Sequence, residues 1–309
     1  MGAVPSHGCG CLGVIDMSKQ TKSQSNSGAV FLFIAILFLA FAARCADANF
    51  VPSPVADPAN DWKLVWHDEF NGPAGAGIDT NKWTPETGGN GNGNQEWQFY
   101  TTGQSNAALD GHGFLDITAL KSPPQTFKTR FGDGAYSSAR FNTRKKFSVK
   151  YGRIEARIEI PAGQGIWPAF WMMGENTATA GWPAGGEVDI MENIGKEPDT
   201  VHGTVHGPGY SGAKGPSGLF RLKNQGRFAD NFHVFAVEWE TDEIRWYVDG
   251  QFYERRTPAD LPAGKKWVYN HPFFLLLNLA VGGGWPGYPD ETTKFPAVMA
   301  VDYVRVYQR

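Results

Sequence analysis

The sequence predicts an all-β fold, an antiparallel sandwich, and three observations lead there. Apolar residues recur at every second position in short runs, with Gly, Asn, Asp and Pro between the runs. No segment sustains a helical period, so the crossover helices that parallel sheets require are missing and the strands must run antiparallel. The composition, with 38 Gly, 20 Pro and 14% aromatic residues, suits many turns and a surface of flat rings. No internal repeat is visible.

Taken in order, residues 1–48 read as a secretory leader rather than as part of the fold. An unbroken apolar run from Ala29 to Ala43 follows Lys19 and Lys22, and is shorter than the ~20 residues of a comfortable membrane span. Ala46-Asp47-Ala48 then has the small-x-small form of a cleavage site, and Met17 offers a second possible start. An uncleaved signal anchor is the competing reading. All three cysteines, Cys9, Cys11 and Cys45, lie in this leader, so the mature chain is expected to hold no disulfide. The expected location is secreted, extracellular or periplasmic, with no membrane contact after cleavage.

Residues 49–61, rich in Pro and Ala, read as a linker, and 62–309 as one catalytic domain. Its strands begin with Lys63 to His67. Gly113 to Leu120 follows a long Gly/Asn loop. Gly152 to Ile160 alternates Ile154, Ala156, Ile158 and Ile160 against Arg153, Glu155, Arg157 and Glu159, the pattern of a half-buried strand. Ile166 to Met173 and Glu187 to Asn193 are more apolar and more central. His233 to Trp239 leads to Ile244 to Val248, and Asp249-Gly250 signals a hairpin before Phe252 to Arg256. Phe273 to Leu279 and Val301 to Tyr307 close the domain. A net charge of −3 argues against nucleic acid or anionic membrane as a partner.

The chemistry concentrates in Gly185-Gly186-Glu187-Val188-Asp189-Ile190-Met191-Glu192-Asn193. Side chains of a strand alternate faces, so Glu187 and Asp189 share one and Glu192 should point the other way. A β-bulge around Ile190-Met191 would return Glu192 to their side. Three acids along one strand repel each other, which raises the pKa of one of them. A close pair of carboxyls, one ionised and one protonated, is what glycosidic cleavage needs. Solvated strand carboxylates and a hard-cation site are the alternatives.

Trp167 and Trp171 share a strand face just upstream, and Trp182 precedes the acids by five residues. Indoles stack on the C–H faces of sugars, although any one of these rings could belong to the core. Downstream, His202 and His206 share a strand face and could form a zinc pair, but a structural zinc needs further Cys or His ligands, and the mature chain has no Cys and few other His. His206 is preferred as a neighbour of the acid/base. Asn94 and Glu96 in Gly-Asn-Gly-Asn-Gln-Glu, Arg140, Asn278 and Trp285 are further candidates for substrate contact, each equally readable as a turn or strand-end residue.

The segments Gly-Arg-Ile-Glu-Ala-Arg-Ile, Trp-Pro-Ala-Phe-Trp-Met, Gly-Glu-Val-Asp-Ile-Met-Glu, Gly-Thr-Val-His-Gly and Leu-Asn-Leu-Ala-Val-Gly-Gly resemble the laminarinase-type members of glycoside hydrolase family 16. The resemblance covers nearly all of 62–309. It implies a concanavalin A-like β-jelly roll with an open cleft on its concave sheet, and endo-hydrolysis of β-1,3-glucan with retention. It assigns Glu187 as nucleophile, Glu192 as general acid/base, and Asp189 as the residue that holds Glu187 and shares its proton. Met191 is the insertion that separates laminarinase-like from lichenase-like motifs. The resemblance also implies one structural Ca²⁺ at Glu69, Gly111 and Asp302, an oxygen-only set suited to calcium. No cofactor is expected for catalysis, the partner is a β-glucan polysaccharide, and a monomer is expected. Strict β-1,3 and mixed β-1,3/1,4 specificity stay open. So do a non-catalytic glucan-binding protein, and a hydrolase or transglycosylase acting on agar, carrageenan or xyloglucan.

Overall fold

The structure, a computed structural model, describes residues 61–122 and 127–309. The leader, and the linker up to residue 60, lie outside the described residues.

Two sheets face each other. One has seven strands, in the order Ser217–Arg221, Thr200–His206, Glu187–Glu192, Ile166–Gly174, Phe273–Val281, Arg140–Asn142 and Thr84–Pro85. The other has ten, with Gly152–Glu159 and the long C-terminal strand Ala297–Gln308 at its centre. Helix among the described residues is confined to Thr177–Ala180 and three single 3₁₀ turns. Among the described residues all pairings are antiparallel except one short pair, Phe99–Tyr100 with Tyr136–Ser138, which the expectation of an antiparallel sandwich did not include.

The core fills the space between the sheets because the alternating strands turn their apolar members inward. Ile154, Ala156 and Ile158 meet Phe170, Met172, Leu275 and Leu277, all essentially unexposed. At the hairpin, Asp249 and Gly250 both take positive φ (49° and 73°), as a two-residue type I′ turn requires, and Val248 pairs with Gln251.

The outer face of the strand Gly152–Glu159 differs from a solvated one. Arg153 pairs with Glu155 at 2.8 Å and with Glu238 at 3.2 Å, and Arg157 pairs with Asp302 at 2.5 Å. Arg245 joins the same lattice through Glu238, Glu240 and Glu243. Glu155 is thereby buried although its strand alternates as a half-exposed one would.

Candidate active site

The acidic strand Glu187–Glu192 is third from one edge of the seven-stranded sheet, between Ile166–Gly174 and Thr200–His206. Against the first neighbour, Met173 pairs with Glu187, Met172 with Val188 and Trp171 with Asp189. The next pairs are Phe170 with Met191 and Ala169 with Glu192, so Ile190 is the extra residue of a bulge. The second neighbour shows the same break between Asp189 and Glu192. Val188, Ile190 and Met191 all enter the core, which leaves Glu187, Asp189 and Glu192 together on the outer face. The bulge expected from strand parity is in place.

The same alternation lays out the rest of that face. Trp167, Ala169 and Trp171 stand on it from one neighbour, while Phe170 and Met172 go inward. Trp167 donates its indole N–H to Glu192 Oε1 at 3.0 Å, and Trp182 donates to Glu187 Oε2 at 2.9 Å. His206, paired in register with Glu187, puts Nε2 3.0 Å from Asp189 Oδ2 and 3.7 Å from Glu187 Oε1.

Burial raises all three carboxyls, and neighbouring negative charge adds to it for Glu187 and Glu192. Glu187 is pushed up to about 8, chiefly by burial and then by the Asp189 charge, against which His206 and the Trp182 N–H favour its ionised form. Asp189, packed between the other two, is raised by burial. Glu192 is raised well above the ordinary range by burial and by the charges of Asp189 and Glu187. The site therefore resists holding three negative charges at once and keeps a proton among them. Glu192, raised furthest, is the last to lose its proton, and Glu187, with Trp182 and His206 beside it, loses its own before Glu192 does.

This crowding has a measurable cost. Protonated in both states below pH ~4.5, Glu187 then destabilises the fold progressively as pH rises towards about 8, because only the unfolded chain ionises freely across that window. Glu187→Gln should raise Tm at pH 8 and leave it nearly unchanged at pH 4. Thermal melts at the two pH values check this, and an equal shift at both would contradict it.

Residues 94–305 match the family described as glycosyl hydrolases family 16. The chain belongs to that family. A beta-glucanase of Rhodothermus marinus is 42% identical over 264 residues, covering 82% of this chain and 87% of the relative. The laminarinase catalytic domain of Thermotoga maritima MSB8 superposes with a TM-score of 0.75 at 47% identity, covering 81% of this chain and 99% of that one. The endo-beta-1,3-glucanase of Pyrococcus furiosus gives 0.74 at 47% identity, covering 80% and 94%. As a family 16 glycoside hydrolase, the chain has the jelly-roll architecture of these laminarinases.

Around this family 16 site, the expected substrate residues divide. Trp182 and Trp285 are exposed, at 51% and 39%. Trp285 meets Trp167 and His202 edge-on at 5.5 and 5.1 Å, beside Glu192. The loop carrying Trp285 is tied to Asn94, whose carbonyl accepts from Gly284 N at 2.8 Å. Arg140 lies 4.9 Å from the Trp171 ring and pairs with Glu86 at 2.9 Å.

Glu96 and Asn278 are bound to other residues of the same face. Glu96 is buried and accepts from Asn92, Asn94, Gln98 and Tyr100, so its charge organises the Gly/Asn loop. Asn278, also buried, accepts from the Trp171 indole at 2.8 Å and donates to Tyr100 Oη at 3.2 Å, so it orients the indole. The His202/His206 zinc pair is not formed. Four residues along a strand separate side chains by roughly 13 Å, and His202 lies opposite Glu192 while His206 lies opposite Glu187. The group that does converge, with ligand atoms within 4.8 Å of one another, is Glu187, Asp189 and His206.

Sequence reasoning passed over Glu86, Tyr100 and Trp246. Trp246 donates its indole N–H to the Asp189 carbonyl at 2.8 Å from the opposite sheet. Its place in the alternating run Ile244 to Val248 signals only an inward side chain.

Proposed function

We propose that this chain is a retaining endo-hydrolase of β-1,3-glucan, alone or alternating with β-1,4 linkages. The observation that carries the reading is the bulged strand that puts Glu187, Asp189 and Glu192 on one face, each outer acid held by its own indole. Glu187 attacks the anomeric carbon while Glu192 gives its proton to the leaving oxygen. Water, deprotonated by Glu192, then releases the sugar from Glu187. Asp189 lies next to both and takes up or returns the shared proton as their charges exchange. Carboxylates suffice for these steps, so no catalytic cofactor is required. The carbohydrate is received on an open face rather than in an enclosed pocket, as an internal cut in a long polymer requires. Reducing-sugar release from laminarin, barley β-glucan, agarose and xyloglucan, measured side by side, tests the reading. Activity on either of the last two alone would overturn it.

The leader supports a secreted protein, released as a monomer after cleavage near Ala48. N-terminal sequencing of the exported chain tests this, and a mature start before residue 40 would refute it.

A structural calcium is the remaining part of the proposal. Leu115 pairs with Val301 and Asp68 with Val304, which brings the turn at Gly111 and the residue Glu69 to the stretch of strand that holds Asp302. Arg305 occupies both carboxyl oxygens of Glu69, at 2.9 and 2.7 Å, so Glu69 has its carbonyl to offer. Arg157 occupies Oδ2 of Asp302, which leaves Oδ1. Two carbonyls and one carboxylate oxygen fit calcium with water completing the shell, and the low charge implies weak binding, with Kd on the order of 10⁻⁴ M or above. Millimolar Ca²⁺ should raise Tm by a few degrees and EDTA should reverse it. No shift at ~5 mM, about 50 times a Kd of 10⁻⁴ M, would remove the site.

A further inference from the structure

We propose that Trp246, from the sheet opposite the acids, is a positioning residue that fixes the bulge and so sets the place of Glu192 relative to Glu187. This rests on the assignment of Glu192 as the acid/base.

The bulge breaks the ladder on both sides of the acidic strand between Asp189 and Glu192. A backbone carbonyl displaced from a ladder and buried must find another donor, or its desolvation goes uncompensated. For Asp189 that donor is the indole N–H of Trp246, at 2.8 Å, in a ring with no exposed surface. An indole has one N–H and no acceptor, so this contact uses the whole polar capacity of the side chain.

The ring reaches the acidic strand through a gap in the neighbouring one. Along Thr200–His206, Val201, Gly203 and Val205 alternate with the outward His202, Thr204 and His206. Gly203 is the inward position that lacks a side chain. A Cβ there would lie 2.5 Å from Trp246 Cδ1, 2.7 Å from its Nε1 and 2.7 Å from the Tyr253 hydroxyl. Gly203 and Trp246 are thus two halves of one device, placed 43 positions apart (246 − 203) on different sheets. The glycine opens the passage and the indole holds the bulged carbonyl.

Without the bond, the strand can relax towards regular pairing, which turns residues after the bulge towards the other face. Glu192 lies after it, while Glu187 and Asp189 lie before. The nucleophile is therefore expected to stay and the acid/base to move. The groups that face Glu192 are Asp189 and Glu187, which raise its pKa, His206, which lowers it, the Trp167 N–H, and His202 across the ladder.

The test removes the N–H without changing the ring. β-(3-Benzothienyl)alanine at position 246 replaces N–H by sulfur in the same bicyclic outline. Its kcat on laminarin should fall on the order of 10–100-fold, as for a catalytic group misplaced by about 1 Å. Its KM should change little, and the basic limb of its pH profile should move as Glu192 changes its burial and its distance from the other two carboxyls. An aryl β-laminaribioside with a dinitrophenolate leaving group, which needs no proton, should lose much less. Gly203→Ala, whose methyl displaces the ring by a different route, should show the same pattern. Full activity and an unmoved basic limb in the benzothienyl variant would overturn the proposal, and so would its unfolding at the assay temperature, since the N–H would then hold the fold rather than the place of Glu192. A Glu192→Ala enzyme that needs no external nucleophile would instead undermine the role of Glu192, a separate failure.

Discussion

Glu187→Ser should lose laminarin hydrolysis on the order of 10⁴-fold or more while the folded chain still binds laminari-oligosaccharides within a few-fold of the wild-type affinity. The covalent step needs a carboxylate oxygen within bonding reach of the anomeric carbon. A serine hydroxyl is set back from that point, out of bonding reach even with Asp189 and His206 beside it. Binding rests on different atoms, the exposed rings of Trp182 and Trp285 and the edges of Trp167 and Trp171 that reach the same face. Trp182 loses its acceptor, Glu187 Oε2 at 2.9 Å, so affinity should fall slightly. Calorimetry on the variant and hydrolysis assays on both proteins check the two halves. Turnover above ~1% of wild type would remove Glu187 as nucleophile, since a displaced general base or contaminating wild type accounts for far less.

The two glutamates owe their positions to one irregularity, and that irregularity was legible in the sequence. Strand alternation puts Glu187 and Asp189 on one face, and only an extra residue returns Glu192 to it. Ile190 and Met191 are both buried as that argument requires. The central strands were legible for the same reason, because Gly152–Glu159 and Phe273–Val281 carry periodic or continuous apolar runs. Among the strands passed over, Thr84–Pro85, Phe99–Tyr100 and Arg140–Asn142 are two or three residues long. A period of two cannot declare itself over so few positions. What holds them is tertiary. Asn142 donates to Glu86 at 2.6 Å, and Tyr100 sits between Glu96 and Asn278.

Glu96 and Asn278 have partners that the sequence does not reveal. Glu96 and Asn278 lie in segments that form the site, which made them candidates for sugar contact. A buried polar group must be satisfied wherever it is, and composition cannot say by whom. For Glu96 the donors are three amides and a phenol from its own loop and strand, so the charge is spent on order. The Trp246 contact was invisible for the opposite reason. An inward Trp in an alternating strand looks like any core residue, and its reach to Asp189 depends on a glycine in another strand.

Glu192→Ala should slow laminarin hydrolysis severely, on the order of 10³-fold, because the leaving sugar oxygen then departs without its proton. An aryl β-laminaribioside with a dinitrophenolate leaving group should still form the glycosyl-enzyme on Glu187, since that group departs as a stable anion. The intermediate should then accumulate, because water attacks it poorly without Glu192 as base. Azide needs no base, so added azide should restore turnover and give a β-glycosyl azide, the product of two inversions. In Glu187→Ala the nucleophile is missing, and azide can act only as a single displacing group from the opposite face of the sugar. That route inverts once and gives an α-azide. The two variants should therefore yield opposite anomers, distinguishable by the coupling constant of the anomeric proton. The structure supports this assignment through the unequal hold of the two acids on a proton. Each acid has an indole N–H and His206 favouring its charge, but burial and the repulsion of Asp189 and Glu187 hold Glu192 higher than Glu187, which keeps its proton on. An α-azide from Glu192→Ala would exchange the roles of Glu187 and Glu192.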